Sequence, residues 1–303
     1  VENRYGKEEE KMIVNASCRT DIPAFFSTWF LNRLKAGYFD VRNPFARQKV
    51  SRIFVEDIDA FMFCTKNPLP LIDHLQEIEK PILMDVTITP YHQDFEPNVI
   101  DKKKIIEGLW KMNKILGKES LSVRYDPIIL SDRYPVEYHL RAFEKLCSLV
   151  EGCVESISIS FLDDYKNVRK NAHELAFHQP TPEELEAIGK GFAKSAARHH
   201  LEVFTCCEKG ILAEYGIPEG GCFSMKKAYA MTGKVFKKWK ARDCECVEMA
   251  DIGVYNTCSH LCRYCYANYD ENAIRRNIAD HDPNSSLLVG HLGPGDEIKR
   301  RKP

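Results

Sequence analysis

Seven short apolar runs, with helix-like stretches among them, constrain this chain more than any other feature of its sequence. The runs are Ile13–Ser17, Ala60–Thr65, Ile82–Thr89, Leu121–Asp126, Ser156–Phe161, Glu202–Cys206 and Asp251–Asn256. They are rich in Val, Ile, Phe and Thr and stop at polar or turn residues, the signature of strands. Asp101 precedes Ile105, Leu109, Met112 and Leu116, whose spacing of three or four predicts a capped helix. Thr181-Pro182-Glu183-Glu184 opens another helix as a capping box, with Leu185, Ile188 and Phe192 on one face. Pro23–Lys35 and Pro135–Glu151 also read as helices.

Parallel strands need crossover connections, so strands alternating with helices predict a parallel sheet covered by helices. The expected class is α/β, a partial or full (β/α) TIM-like barrel forming one domain over residues 12–268. Residues 1–11 are expected to be a flexible charged segment. The stretch from about 206 to 246 reads as a Cys-rich insertion, and 269–303 as a C-terminal extension. That extension ends in Lys299-Arg300-Arg301-Lys302, read as a solvated basic tail.

With 44% apolar and 29% charged residues and a net charge of −1, the chain is a globular one. It has no basic excess that marks a nucleic-acid partner, so nucleic acid stays without support from charge. No run of about 18 apolar residues suggests a membrane span. The charged start lacks a signal peptide's apolar stretch, and the expected location is cytoplasmic.

Twelve cysteines break this ordinary pattern, and eight of them fall between Cys206 and Cys265. Disulfide frameworks belong to small secreted domains, so a long chain without an export signal points to metal ligation instead. Cys18, Cys64, Cys147 and Cys153 are scattered and read as small buried apolar residues.

Cys258, Cys262 and Cys265 stand in a C-x3-C-x2-C loop with Tyr264 immediately before the third cysteine. Three thiolates at this spacing can hold three irons of a 4Fe–4S cluster and leave the fourth open. A structural zinc prefers paired C-x2-C knuckles and four closed ligands. An ordinary iron–sulfur site with a fourth ligand from elsewhere is the other alternative. His260 lies within the loop and reads as a polar loop residue.

The loop resembles the C-x3-C-x-φ-C signature of radical S-adenosylmethionine (SAM) enzymes. In that superfamily the residue corresponding to Tyr264 approaches the adenine of SAM, and the open iron is chelated by SAM's amino and carboxylate groups. The resemblance implies reductive cleavage of SAM to a 5′-deoxyadenosyl radical. It also implies an electron donor such as a flavodoxin or ferredoxin, and a small-molecule or other substrate that the sequence does not name. More closely, the chain resembles a radical-SAM-like family, domain of unknown function eighteen forty-eight. The matching stretches are Ser17–Pro23, Cys64–Pro68, Arg124–Pro127 and Asp251–Asn268, spread over about residues 12–295. A weaker similarity is to spore photoproduct lyase. The superfamily usually carries its cysteine loop after the first strand, whereas this chain carries it after the last. The expected barrel is therefore permuted, with the Asp251–Asn256 strand beside Ile13–Ser17 and the loop at the C-terminal rim.

Cys206, Cys222, Cys244 and Cys246 bracket the insertion, and four thiols suit a metal site that folds a segment with little core. The resembling family has cysteines at matching positions. A second 4Fe–4S cluster is favoured over structural zinc and over free or redox-active thiols. Cys207 is expected to be the odd one out, pointing away from Cys206 if both lie on a strand.

At strand ends, Lys66, Arg124 and Asp126 are candidate catalytic residues, and Thr65 and Asn67 join Tyr264 as candidate cofactor contacts. Lys66 reads equally as a surface lysine, and Arg124 with Asp126 as a buried ion pair. Arg19-Thr20-Asp21 is expected at the same rim, and Asp163 and Asp164 as helix caps. The competing class is a non-enzymatic iron–sulfur or zinc protein whose metal sites are structural or redox-sensing.

Overall fold

The computed structural model describes residues 12–240 and 244–302. The expected flexible segment 1–11 lies outside the described residues. In chain order the described elements begin with β1 (Met12–Asn15), α1 (Ile22–Phe25), α2 (Ser27–Ala36), β2 (Tyr38–Arg42), β3 (Lys49–Phe54) and β4 (Ile58–Thr65). Next come α3 (Leu69–Ile72), β5 (Ile82–Thr87), α4 (Lys102–Leu116), β6 (Leu121–Ile128), α5 (Val136–Val150) and β7 (Ser156–Phe161). Then follow α6 (Lys166–Lys170), α7 (Ala172–Leu175), α8 (Pro182–Arg198), β8 (Glu202–Thr205), α9 (Met225–Thr232), β9 (Ala250–Asp251), α10 (Glu271–Ala279) and β10 (Glu297–Arg300).

All seven anticipated strands form one sheet, in the order β8-β7-β6-β5-β4-β1-β9. Every pairing in it is parallel. The protein is thus a mixed α/β fold with a parallel sheet flanked by helices.

Because successive strand residues face opposite sides, the sheet has two different faces. Val14, Phe61, Phe63, Met84, Val123 and Ile157 lie on the face packed by the helices. There, α5 and α8 meet at Phe143 and Phe192, whose rings stack 3.8 Å apart. Each such fully buried side chain contributes about 1.5–3 kcal/mol. The opposite face carries Ile13, Ala60, Met62 and Leu83, packed against Phe223, Phe236, Val247 and the cysteines of the insertion. Further along, the same face turns polar with the buried Asp85, Ser122 and Ser158.

The helix signals behave as their chemistry requires. Asp101 accepts from Lys103 N at the start of α4, and Thr181 and Glu184 close a reciprocal capping box on α8. The predicted helix over Pro23–Lys35 is broken at Phe26 into α1 and α2.

A second sheet, in the order β10-β3-β2, escaped the sequence reading. Its strand β3 pairs antiparallel with β2 and parallel with β10, which belongs to the C-terminal extension. The extension also receives the indole N–H of the buried Trp29, on the carbonyls of Ser285 (2.9 Å) and Leu287 (3.1 Å). Arg300 is no free basic tail: it pairs with Asp57 at 2.8 Å and Glu56 at 2.9 Å.

Candidate functional site

Strands β1, β4, β5, β6 and β7 all end at one cavity of ≈ 310 Å³. Cys258, Cys262 and Cys265 line it, and so do Cys206, Cys207, Cys222, Cys244 and Cys246. The C-terminal ends of parallel strands are where α/β folds place their ligands.

The loop reaches this place through β9, whose Ala250 and Asp251 pair with Val14 and Asn15 of β1. Arg19 fastens the junction, donating to the Asp251 carboxylate at 2.8 Å and to its carbonyl at 2.9 Å. A Cβ on Gly253 would lie 3.1 Å from Asp251 Oδ1 and 3.3 Å from Arg19 N, so a larger residue would crowd the turn. Asn256, at φ 56°, occupies the left-handed region that Asn tolerates. Its side chain accepts from Tyr269 N at 2.8 Å, and Asn268 donates to Cys258 O at 2.6 Å, which closes the neck of the loop.

Two buried carboxylates hold the loop against the sheet. Asp21 accepts from Ala24 N (3.0 Å), Thr65 Oγ1 (2.7 Å), Lys66 N (2.8 Å) and His260 Nε2 (2.9 Å). His260 is therefore a wedge between the loop and the β1–α1 connection, with its ring edge-on to Phe25. Its Nε2 carries the hydrogen given to Asp21, and its buried Nδ1 has no hydrogen-bond partner among the described residues.

Glu96 is the second hub. It accepts from Lys66 Nζ at 2.7 Å, from Lys102, and from the hydroxyls of Thr89 and Tyr264. Burial alone would raise its pKa, yet the charges of Lys66 and Lys102 hold Glu96 down at about 2. Lys66 is raised despite burial, chiefly by the Glu96 charge. Tyr264, with its ring 5.6 Å from Lys66 Nζ, is pushed well up by burial and by Glu96.

Lys66 is accordingly a buried, neutralised cation and not a surface lysine. Arg124 is likewise held, by Asp126 and by Asp85 at 3.4 Å, and Asp126 also accepts from Ser160. Arg124 and Asp126 form an ion pair, half-buried, and both line the cavity. Burial lifts Asp85 to about 6 against the opposing charge of Arg124.

Thr65 and Tyr264 line the cavity too, whereas Asn67 is absent from its lining. The Asn67 carboxamide instead accepts from Leu69 N at 3.2 Å, at the start of α3. Neither Asp163 nor Asp164 caps a helix: α6 starts from Tyr165 without a side-chain cap, and Asp164 pairs with Arg169 at 3.0 Å. Cys147 and Cys153 are buried in the core, as expected, but Cys18 and Cys64 are half-buried and line the cavity. Glu96 carried no signal in the sequence, since it lies in an irregular loop between β5 and α4 with no periodicity to mark it.

Burial raises all three loop thiols, so each keeps its proton until a metal displaces it. In the second set, Cys206 and Cys207 sulfurs lie 3.8 Å apart and Cys222 and Cys246 sulfurs 3.5 Å apart. Cys207 does not point away from Cys206 as expected, though it is exposed while the other four are buried. Strand β8 stops at Thr205, and the backbone of Cys207 turns to φ 63°, which brings its sulfur back onto Cys206. Among the described residues, no three His, Cys, Asp or Glu side chains converge on one point as ligands of a single ion. Soft donors in both sets nonetheless suit thiophilic metals, and a cluster spreads its thiolates over separate metal atoms.

These features define a cysteine-rich α/β protein with a thiol-lined cavity at the C-terminal ends of a parallel sheet. It belongs to the family described as Domain of unknown function (DUF1848), whose model matches residues 13–267. No curated protein matches the chain. Among solved structures it is similar to the carboxyl transferase domain from Rhizobium etli pyruvate carboxylase with pyruvate, at 10% identity and a TM-score of 0.24. That similarity covers 69% of this chain and spans 39% of the other. A likeness that slight carries no argument.

Proposed function

We propose that this protein is an iron–sulfur enzyme of radical SAM type, with a 4Fe–4S cluster on Cys258, Cys262 and Cys265 and SAM as co-substrate. The observation that carries the reading is the position of the three thiols. They open on one cavity with the ends of five parallel strands, and Asp21 and Glu96 fasten their loop there. When bound, the cluster supplies the electron for reductive cleavage of SAM.

The residues of the chain do the rest. Asp21 and His260 fix the first half of the loop. Glu96 orients Tyr264 and offsets one of the two charges on Lys66 and Lys102, so one positive charge remains near Cys262. Phe161, Tyr266 and Met249 line the cavity and reduce the water within it. In this reading residues 12–268 are one domain, a partial barrel permuted so that β9 takes the place of a first strand. Residues 269–303 are its extension. A flavodoxin- or ferredoxin-like protein is the proposed electron donor, and the location is the cytoplasm.

One observation favours the non-enzymatic reading, in which the metal is structural or redox-sensing. Lys66 and Arg124, the cations best placed to hold a substrate, are both engaged by carboxylates. Anaerobic reconstitution followed by iron and sulfide counts, then SAM with dithionite and assay of 5′-deoxyadenosine, separates the readings. Cleavage that disappears in Cys262→Ala, together with the loop iron, is the expected result. A cluster that never cleaves SAM sinks the enzymatic reading, and zinc on the three loop thiols sinks both the cluster and the enzyme.

A further inference from the structure

The second thiol set comes from three separated stretches of the chain. Cys207 touches Cys206 and Cys222 touches Cys246 at the distances given above. Cys244 lines the same cavity as these two pairs. All five are free thiols, and all but Cys207 are buried.

The backbone is shaped for this meeting. A Cβ on Gly221 would stand 2.7 Å from the carbonyl carbon and oxygen of Glu245, so only glycine lets the Cys222 stretch approach the 244–246 stretch. Isolated bridges, Ser224 to Cys246 and Lys238 to Val247, then clip the two together. Cys207 holds a left-handed backbone, φ 63°, which costs a non-glycine residue about 1–2 kcal/mol. Holding that conformation is what places its sulfur beside Cys206. Among its described residues the insertion has one α-helix, α9, and one short 3-10 turn, with little regular structure to hold these thiols together without help.

We propose that Cys206, Cys207, Cys222, Cys244 and Cys246 form a second thiolate metal centre, on the wall of the cavity shared with the cysteine loop, and that Cys207 is one of its ligands. The guanidinium of Arg124, on the same wall, offsets part of the negative charge that bound thiolates bring. Thiol donors of this number suit an iron–sulfur cluster, whose thiolates sit on separate metal atoms, whereas zinc would need them to close on one point. The centre is independent of what the loop binds.

The test removes the loop from the question. The variant C258A/C262A/C265A is purified without oxygen and analysed for iron, sulfide and zinc. Iron with matching sulfide identifies a cluster and zinc identifies the other metal, and either supports the proposal if the metal is lost on adding Cys222→Ala. Unreactive Cys147 and Cys153 show that the variants are folded. In the otherwise native chain, Cys207→Gly relaxes the strained backbone but deletes a sulfur. We expect a chelator to strip the second centre at least ~10-fold faster from it. A folded loop variant without metal, its five thiols open to a thiol reagent, overturns the proposal. Unchanged stripping from Cys207→Gly overturns the part assigned to Cys207.

Discussion

Glu96 has two lysines and two hydroxyls on it, and no uncharged replacement can serve them all. In Glu96→Gln, Lys66 and Lys102 keep their charges in a buried setting without a counter-charge. Breaking a buried pair in this way costs roughly 3–5 kcal/mol, and we expect a urea midpoint lowered to match. Replacing Lys66 with Met in the same variant should recover part of that loss, since one stranded cation is gone. His139 gives a pH dependence of known sign. Burial lowers it from 6.5 to about 4, between a Tyr125 hydroxyl at 2.8 Å and the Ile129 carbonyl at 3.1 Å. The unfolded chain then takes up the proton first as pH falls. Stability is complete above about 6.5 and declines through the window down to about 4, by up to roughly 3 kcal/mol. Urea unfolding of His139→Gln across that window should show a slope flatter by one proton.

Helices and strands were legible to different degrees, and for physical reasons. Capping chemistry is local, so the start of α8 could be read directly, and Thr181→Ala is expected to cost about 1 kcal/mol in denaturant unfolding. The strands of the main sheet are buried on both faces and announce themselves as apolar runs. By contrast β2, β3 and β10 form a partly exposed sheet, in which a buried Asp40 faces Arg52 and interrupts the apolar run. Only their partners make them strands. The three loop cysteines were readable from spacing, whereas the hubs Asp21 and Glu96 join residues far apart in the chain and leave no local trace. The Cys207 sulfur was expected to point away from Cys206, and its return was not legible because a left-handed backbone cannot be read from a cysteine. Gly221→Ala tests that crossing: the Cβ has nowhere to go but into Glu245. We expect a loss of about 1–3 kcal/mol and faster reaction of Cys222 and Cys246 with a thiol reagent.

At the scale of the molecule, the C-terminal extension covers part of the core. Trp29 is fully buried, with its indole hydrogen bonded to carbonyls of residues 285 and 287. A chain ended at Asn268 should therefore show tryptophan emission shifted to longer wavelength and a lower urea midpoint. The position of β9 has a further consequence, in time. Six strands of the sheet are translated before β9. The loop thiols arrive only after that, carried in by a strand of two residues. Ribosomes thus deliver the scaffold before the loop that it holds.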